Sequence, residues 1–191
     1  KEKTIPITYK DLPQHLIYAL QAKEDERFRE HSGIDMKSIA RAIRYGGARG
    51  GGSTITQQLA KLLFTGNASQ NKIQRAFQKL KEWVVAVSLE KRYTKEEIVT
   101  LYFNKFDFLH NANGIELASK IYFNKSAKDL NLSEAATFVA MLENPRRNNP
   151  IRNMDRAIKR RNVVLDQMLE TGYIDQATHD KVVAEPITVD F

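Results

Sequence analysis

The chain has 191 residues, 42% of them apolar and none of them cysteine, and its 30 Lys and Arg outnumber 23 Asp and Glu for a formal charge of +7. That length can bury a sizeable core in one domain, and the composition is that of a folded chain. The lack of cysteine excludes a disulfide scaffold, a thiolate metal site and a Cys nucleophile. Apolar runs are short, as at Trp83–Val87, against the roughly 20 residues that a membrane-spanning helix needs. The chain opens with Lys1 and shows no signal peptide, so the expectation is a domain whose anchor or signal lies outside this sequence. The excess of cations fits ordinary solubility or an anionic partner, which could be a phosphate, a nucleic acid or a membrane surface.

Most of the chain reads as helix. Leu16, Ile17, Ala19 and Leu20 follow Pro13 at helical spacing and predict a helix to about Arg27. Met36, Ile39, Ala40 and Ile43 mark a second, which must end before Gly46–Gly47. A third is expected over Thr54–Phe64, with Ile55, Leu59, Leu62 and Leu63 as its buried side. In the fourth, Ile73, Phe77, Leu80, Val84 and Val87 alternate steps of four and three and so share one stripe. Thr94 and Glu97 form a capping-box pattern that starts a fifth through Ile98, Leu101 and Tyr102. Further helices are predicted near Ala112–Tyr122, Ser133–Leu142, Met154–Thr171 and Asp175–Glu185, with Gly172 stopping the penultimate one. Thr4–Thr8 and Ile187–Phe191 read as short extended pieces, and Arg146–Asn149 as a polar loop between prolines.

Three segments can carry chemistry. In Lys23-Glu24-Asp25-Glu26-Arg27-Phe28, followed by His31 and Gly33, three adjacent acids near a helix end could raise one carboxylate into the range of a general base or acid. The plainer alternative is a solvated acidic helix end paired with Lys23 and Arg27. In the run from Arg49 through Gly52, Ser53, Thr54, Gln57 and Gln58 to Lys61, a glycine-rich loop enters a helix. Its amides and Lys61 could hold an anion; otherwise it is a linker with an N-cap. It lacks the Gly-Lys-Ser/Thr ending of a Walker loop. On the fourth helix, Lys79 and Glu82 share a face, as a surface ion pair or as a rigid carboxylate beside a phosphate-binding cation. His31 has no helical ligand cluster, Ser, His and Asp show no nucleophile elbow, and Lys159-Arg160-Arg161 reads as a solvated face.

Glu24-Asp25-x-x-Phe28-x-x-His31-x-Gly33, then Gly51-Gly52-Ser53-Thr54-Ile55-Thr56-Gln57-Gln58, then a basic helix reaching Glu82, together resemble the peptidoglycan glycosyltransferases, glycosyltransferase family 51. Glu90–Ile98, Leu101–Asn104, Gly114–Glu116 and Tyr122–Phe123 extend the likeness. The family occurs as monofunctional enzymes and as one half of class A penicillin-binding proteins. One domain over 1–191 is expected, with the motifs in about 5–150 and closing helices in about 154–185.

The resemblance implies a mainly α, lysozyme-like fold, with a larger helical lobe and a small membrane-facing lobe around a cleft. It implies polymerisation of lipid II into β-1,4 glycan strands with inversion, releasing undecaprenyl pyrophosphate. Glu24 would be the base that takes the acceptor proton. Lys61, Arg75 and Lys79, with the Gly50–Thr54 loop, would receive the leaving pyrophosphate. Arg27, Phe28, Ser53, Gln57 and Gln58 match positions lining the family's substrate cleft. Glu82 matches its second glutamate, which could orient Lys79, assist the phosphate side or help hold a divalent cation. No cofactor is required by this reading, and Mg or Mn is compatible with it.

Departures from the family pattern are Gln78 where an Arg usually precedes Lys79, a longer stretch from Lys61 to Glu82 that leaves Arg75 or Gln74 at the phosphate position, and Asn104–Phe108 in place of a more usual loop. The implied partners are lipid II, the growing glycan, an anionic membrane surface and cell-wall synthesis proteins, with no nucleic acid. The implied location is the extracytoplasmic face of a bacterial membrane, and moenomycin is the implied inhibitor. A lysozyme-like peptidoglycan hydrolase or lyase on the same fold is the alternative.

Overall fold

The computed structural model describes residues 4–47 and 51–191. Among them run nine α-helices: α1 Gln14–Glu24, α2 Met36–Tyr45, α3 Ile55–Ala60, α4 Lys72–Arg92, α5 Lys95–Lys105, α6 Ile115–Phe123, α7 Leu132–Glu143, α8 Met154–Glu170 and α9 Gln176–Val183. The fold is mainly α, as expected. The two terminal pieces join no sheet; Thr4 and Asp107 each make an isolated bridge to Asn113, and Asp190 N donates to Tyr122 O.

Local chemistry sets the ends of these helices. Asp35, Thr54, Asn71, Asn131, Asn153 and Asp175 each turn a side-chain oxygen onto first-turn amides of the helix that follows. Thr94 and Glu97 exchange side-chain bonds with each other's backbone N–H, as their spacing predicts. Gly46 ends α2 in the left-handed region. α1 stops at Glu24, short of the predicted Arg27, because Asp25 leaves the helix at φ −161° and ψ 80°. α6 begins at Ile115 rather than Ala112, because Leu109, His110, Asn111 and Gly114 all hold positive φ, which no helix can contain.

The chain divides into two compact units. One comprises the chain up to Glu26 and Phe103–Phe191, and the other Arg27–Tyr102. In the first, α1 packs against α7 and α8, and α8 against α9. Phe106, Phe108, Tyr122, Phe123 and Phe138 build its aromatic core through edge-on contacts. Arg161 of α8 is wholly buried there and donates to Ser133 Oγ and to the carbonyls of Glu185 and Val183, which ties down the chain after α9.

In the second unit α3 packs on α4. The helix expected over Thr54–Phe64 is α for six residues and then widens into a π turn over Lys61–Thr65. Ile55 and Leu59 are buried as predicted, but Leu62 is exposed and Leu63 only half-buried, because the wider turn rotates them off the α3 face. The apolar stripe of α4 exists, but the described residues leave it largely exposed as far as Val84. Ile73, Phe77, Leu80 and Val84 are 68%, 68%, 56% and 71% exposed. The apolar residues of α2 fare similarly, with Met36 and Ile43 exposed.

Candidate functional site

In the first unit, Glu24 ends α1 with its carboxylate 4.0 Å from Lys23 Nζ, and both side chains are largely covered. Asp25 is buried just after it. Thus the acidic triplet is not a uniformly solvated helix end.

The remaining residues singled out in the sequence lie in the second unit. Arg27 Nε donates to Asp35 Oδ2 at 2.9 Å and its Nη2 to Ser38 Oγ at 2.7 Å, fastening the Arg27–Asp35 segment to the start of α2. Burial raises the Asp35 carboxyl, but the bonds from Arg27 and Ser38 together outweigh it and hold the group below its ordinary range. Phe28 is wholly buried, and the Lys95 ammonium stands 4.6 Å over its ring. Lys95 Nζ also donates to His31 O at 2.6 Å and to Glu90 Oε1 at 2.7 Å, and Glu90 accepts from Thr56 Oγ1. Thr54 Oγ1 donates to Gly33 O at 2.7 Å. In this way the two motifs that are separate in sequence are bound side by side.

Gly50 lies outside the described residues. Of the loop that follows, Thr54 N–H is already taken by Gln57 Oε1 at 2.7 Å, so it is a helix cap and not a donor held open for an anion. Gln57 is buried, and its Nε2 has no hydrogen-bond partner among the described residues. Gln58 Oε1 accepts from Tyr102 Oη. Ser53 is half-buried, and its Oγ lies 2.5 Å from Lys79 Nζ. The same ammonium is 3.9 Å from Glu82 Oε2, and the other oxygen of this buried carboxylate accepts from Thr65 Oγ1 at 3.0 Å. Lys79, Ser53 and Glu82 are therefore brought together, as the spacing of Lys79 and Glu82 anticipates for one pair of the three.

Lys61 and Arg75 are exposed. The Lys61 side chain makes no hydrogen bond or ion pair among the described residues, whereas Arg75 Nε donates to Ser69 O. Gln74 and Gln78 also grip Ser69, through its hydroxyl and its backbone N–H. The additional residues between Lys61 and Glu82 thus fold back onto α4, and Gln78 serves that loop where an Arg would carry charge. Among the described residues no three His, Asp or Glu side chains converge as a metal-ligand set, and Glu82 is met by an ammonium and a hydroxyl, not by further carboxylates.

Sequence reasoning missed Thr65, Glu90 and Lys95 as supports of the site. Helix spacing carries no information about Thr65, which reaches Glu82 through a π turn. Glu90 and Lys95 do have a local signal, since they flank the break between α4 and α5.

The pattern of the family described as "Transglycosylase" matches residues 1–169. The chain is 40% identical to penicillin-binding protein 1A of Pseudomonas aeruginosa over 97% of its own length and 22% of that protein. It is 39% identical to penicillin-binding protein 1A of Aquifex aeolicus over 98% of its length and 26% of that protein. A crystal structure of penicillin-binding protein 1A from Haemophilus influenzae superposes with a TM-score of 0.61 at 25% identity, covering 99% of this chain and 18% of that one. The chain thus spans about a quarter of the length of these relatives. The match over most of its length shows that the chain belongs to the transglycosylase family.

Proposed function

We propose that the protein is a peptidoglycan glycosyltransferase that polymerises lipid II into β-1,4 glycan strands with inversion and releases undecaprenyl pyrophosphate. The observation that carries this reading is Lys79, whose ammonium is held between the Ser53 hydroxyl and the Glu82 carboxylate. A transferase that expels a pyrophosphate needs a fixed cation where negative charge develops, and a hydrolase acting on finished glycan does not. Glu82, braced by Thr65, orients that cation in this reading. Exposed Lys61 and Arg75 add positive charge to the same unit.

Glu24 accepts the proton of the attacking sugar hydroxyl, and one displacement at the anomeric carbon exchanges an α-linked donor for a β-linked product. Arg27 and Phe28 hold the segment that follows the base, and Gln57 offers its unpartnered amide from beside the Ser53–Thr54 turn. The exposed apolar stripe of α4 suits an enzyme whose substrates are lipid-linked, and it is flanked by Lys72, Lys79 and Lys81. We place the activity on the extracytoplasmic face of a bacterial membrane with an anionic surface, alongside other cell-wall synthesis proteins. No described helix is itself long and apolar enough to cross a membrane.

The test is to supply lipid II in detergent and follow polymer length. Wild-type protein is expected to form polymer, Glu24→Gln to form none, and Lys79→Met to lose at least about 100-fold in rate, the scale for removing one preorganised transition-state donor. Moenomycin is expected to bind and to block polymer formation. No polymer from wild type, or release of soluble muropeptides from purified sacculi without lipid II, contradicts the reading.

A further inference from the structure

Glu24 is the last residue of α1, where the helix dipole is negative and disfavours a carboxylate. Asp25, buried beside it, adds a second negative charge. Against these stands Lys23, whose Nζ is 4.0 Å from Glu24 Oε1 and 3.9 Å from Glu143 Oε2. Glu143 closes α7 and is itself paired with Arg160 of α8. Charges therefore alternate in the order Glu24, Lys23, Glu143, Arg160 across three packed helices. The side chains of Lys23 and Glu24 are only 15% and 18% exposed, so water screens their interaction little.

Of the other charged groups on these helices, Asp155, Lys159 and Glu170 are exposed, and several more are engaged elsewhere. Glu134 of α7 pairs with Lys125, Arg156 of α8 donates to Asn148, and Arg161 is committed to Ser133 and two carbonyls. Glu26 is exposed beyond the helix end. One ammonium is thus shared between two carboxylates, and the second carboxylate is anchored by an arginine.

We propose that Lys23 is a positioning residue for polymerisation: its shared ammonium keeps the Glu24 carboxylate ionised, and Glu143 sets how much of that cation Glu24 feels. This rests on the reading of Glu24 as the base. A base must be ionised to accept a proton, yet a carboxylate neutralised too fully by an ion pair accepts one poorly. Sharing Lys23 with Glu143 holds Glu24 between these limits. Without Lys23, one ammonium that opposes the helix end and Asp25 at Glu24 is gone, and the balance moves toward the protonated acid. Without the charge of Glu143, Lys23 closes on Glu24.

The experiment measures lipid II polymerisation against pH, from about 5 to about 9, for wild type, Lys23→Met, Lys23→Gln, Glu143→Gln and Glu24→Gln. Loss of the Lys23 charge is expected to move the acid limb of the rate profile up by about one pH unit, the lower end of the effect of an opposite charge within 4–6 Å. Glu143→Gln is expected to move it down by a smaller amount, with KM changed less than about twofold. Displacements of opposite sign are not the mark of a folding defect. Acid limbs that coincide with wild type in Lys23 and Glu143 variants that fold and polymerise overturn the proposal, and an inactive Glu24→Gln beside them leaves the base reading standing. An active Glu24→Gln overturns both. If the Lys23 variants do not fold, Glu143→Gln decides alone: a downward shift supports the proposal and an unmoved limb overturns it.

Discussion

Gly33 rests on the backbone of Ala86 so closely that a β-carbon on it would lie 2.9 Å from Ala86 O and 3.0 Å from Val87 N. Its φ of +114° is also one that L side chains rarely adopt. The obstructing atoms are backbone of the long helix α4 and cannot swing aside. Gly33 is thus the point where the segment bearing Arg27 and Phe28 meets that helix. Gly33→Ala is expected to destabilise the protein by about 2–4 kcal/mol, combining backbone strain with overpacking. Denaturant unfolding measures it, and a loss under about 0.5 kcal/mol would contradict the close approach.

The exposed stripe on α4 makes a different prediction. Phe77 and Val84 bury little, so Phe77→Ser and Val84→Ser are each expected to change stability by less than about 0.5 kcal/mol. If the stripe meets a bilayer, the double variant sediments less with anionic vesicles than wild type while melting at nearly the same temperature. Equal sedimentation would remove the stripe from the membrane contact.

Arg161 carries a charge into the first unit's interior, where burial pulls its guanidinium below its ordinary value. Its donors are what satisfy Ser133 Oγ and the carbonyls of Val183 and Glu185. Arg161→Met is expected to cost about 2–4 kcal/mol by leaving these acceptors unserved. The chain beyond α9 should also become the first site of limited proteolysis, read by mass spectrometry of the early fragments.

Two groups give the stability a pH dependence of opposite sign. His179 accepts charge readily because Asp180 and Asp166 bond its two ring nitrogens, at 3.0 and 2.7 Å, and its pKa is raised. Its contribution is complete below its ordinary pKa of 6.5 and disappears as pH rises through the raised value. Asp35 is lowered, so its contribution is complete above the ordinary 3.8 and disappears as pH falls through the lower value. Melting temperatures should therefore decline as pH rises past the ordinary histidine value of 6.5, and His179→Ala should flatten that decline. Asp35→Asn should flatten part of the loss on acidification.

Much of the candidate site is legible in the residues alone. Glu24, the Gly51–Gln58 string and the Lys79–Glu82 pair stand out by type and spacing, because a helix places residues three and four apart on one side whatever surrounds it. The capping box at Thr94 and Glu97 and the stop at Gly46 are likewise local, set by backbone groups within one turn. The nine helices among the described residues follow in number from the same short-range rules, and most of them in approximate extent.

What tertiary structure alone decided is what each face meets. The periodicity of Ile73, Phe77, Leu80 and Val84 shows an apolar stripe equally well whether it is covered or bare, and it is bare. Lys159-Arg160-Arg161 reads as one solvated run, yet Arg161 is wholly buried and Arg160 is paired with Glu143. The Lys23–Glu143 pair joins positions 120 residues apart. Charge and periodicity are properties of single residues and their near neighbours. The partner that fixes the use of a charge arrives only when distant helices pack, and no local pattern in the chain encodes that arrival.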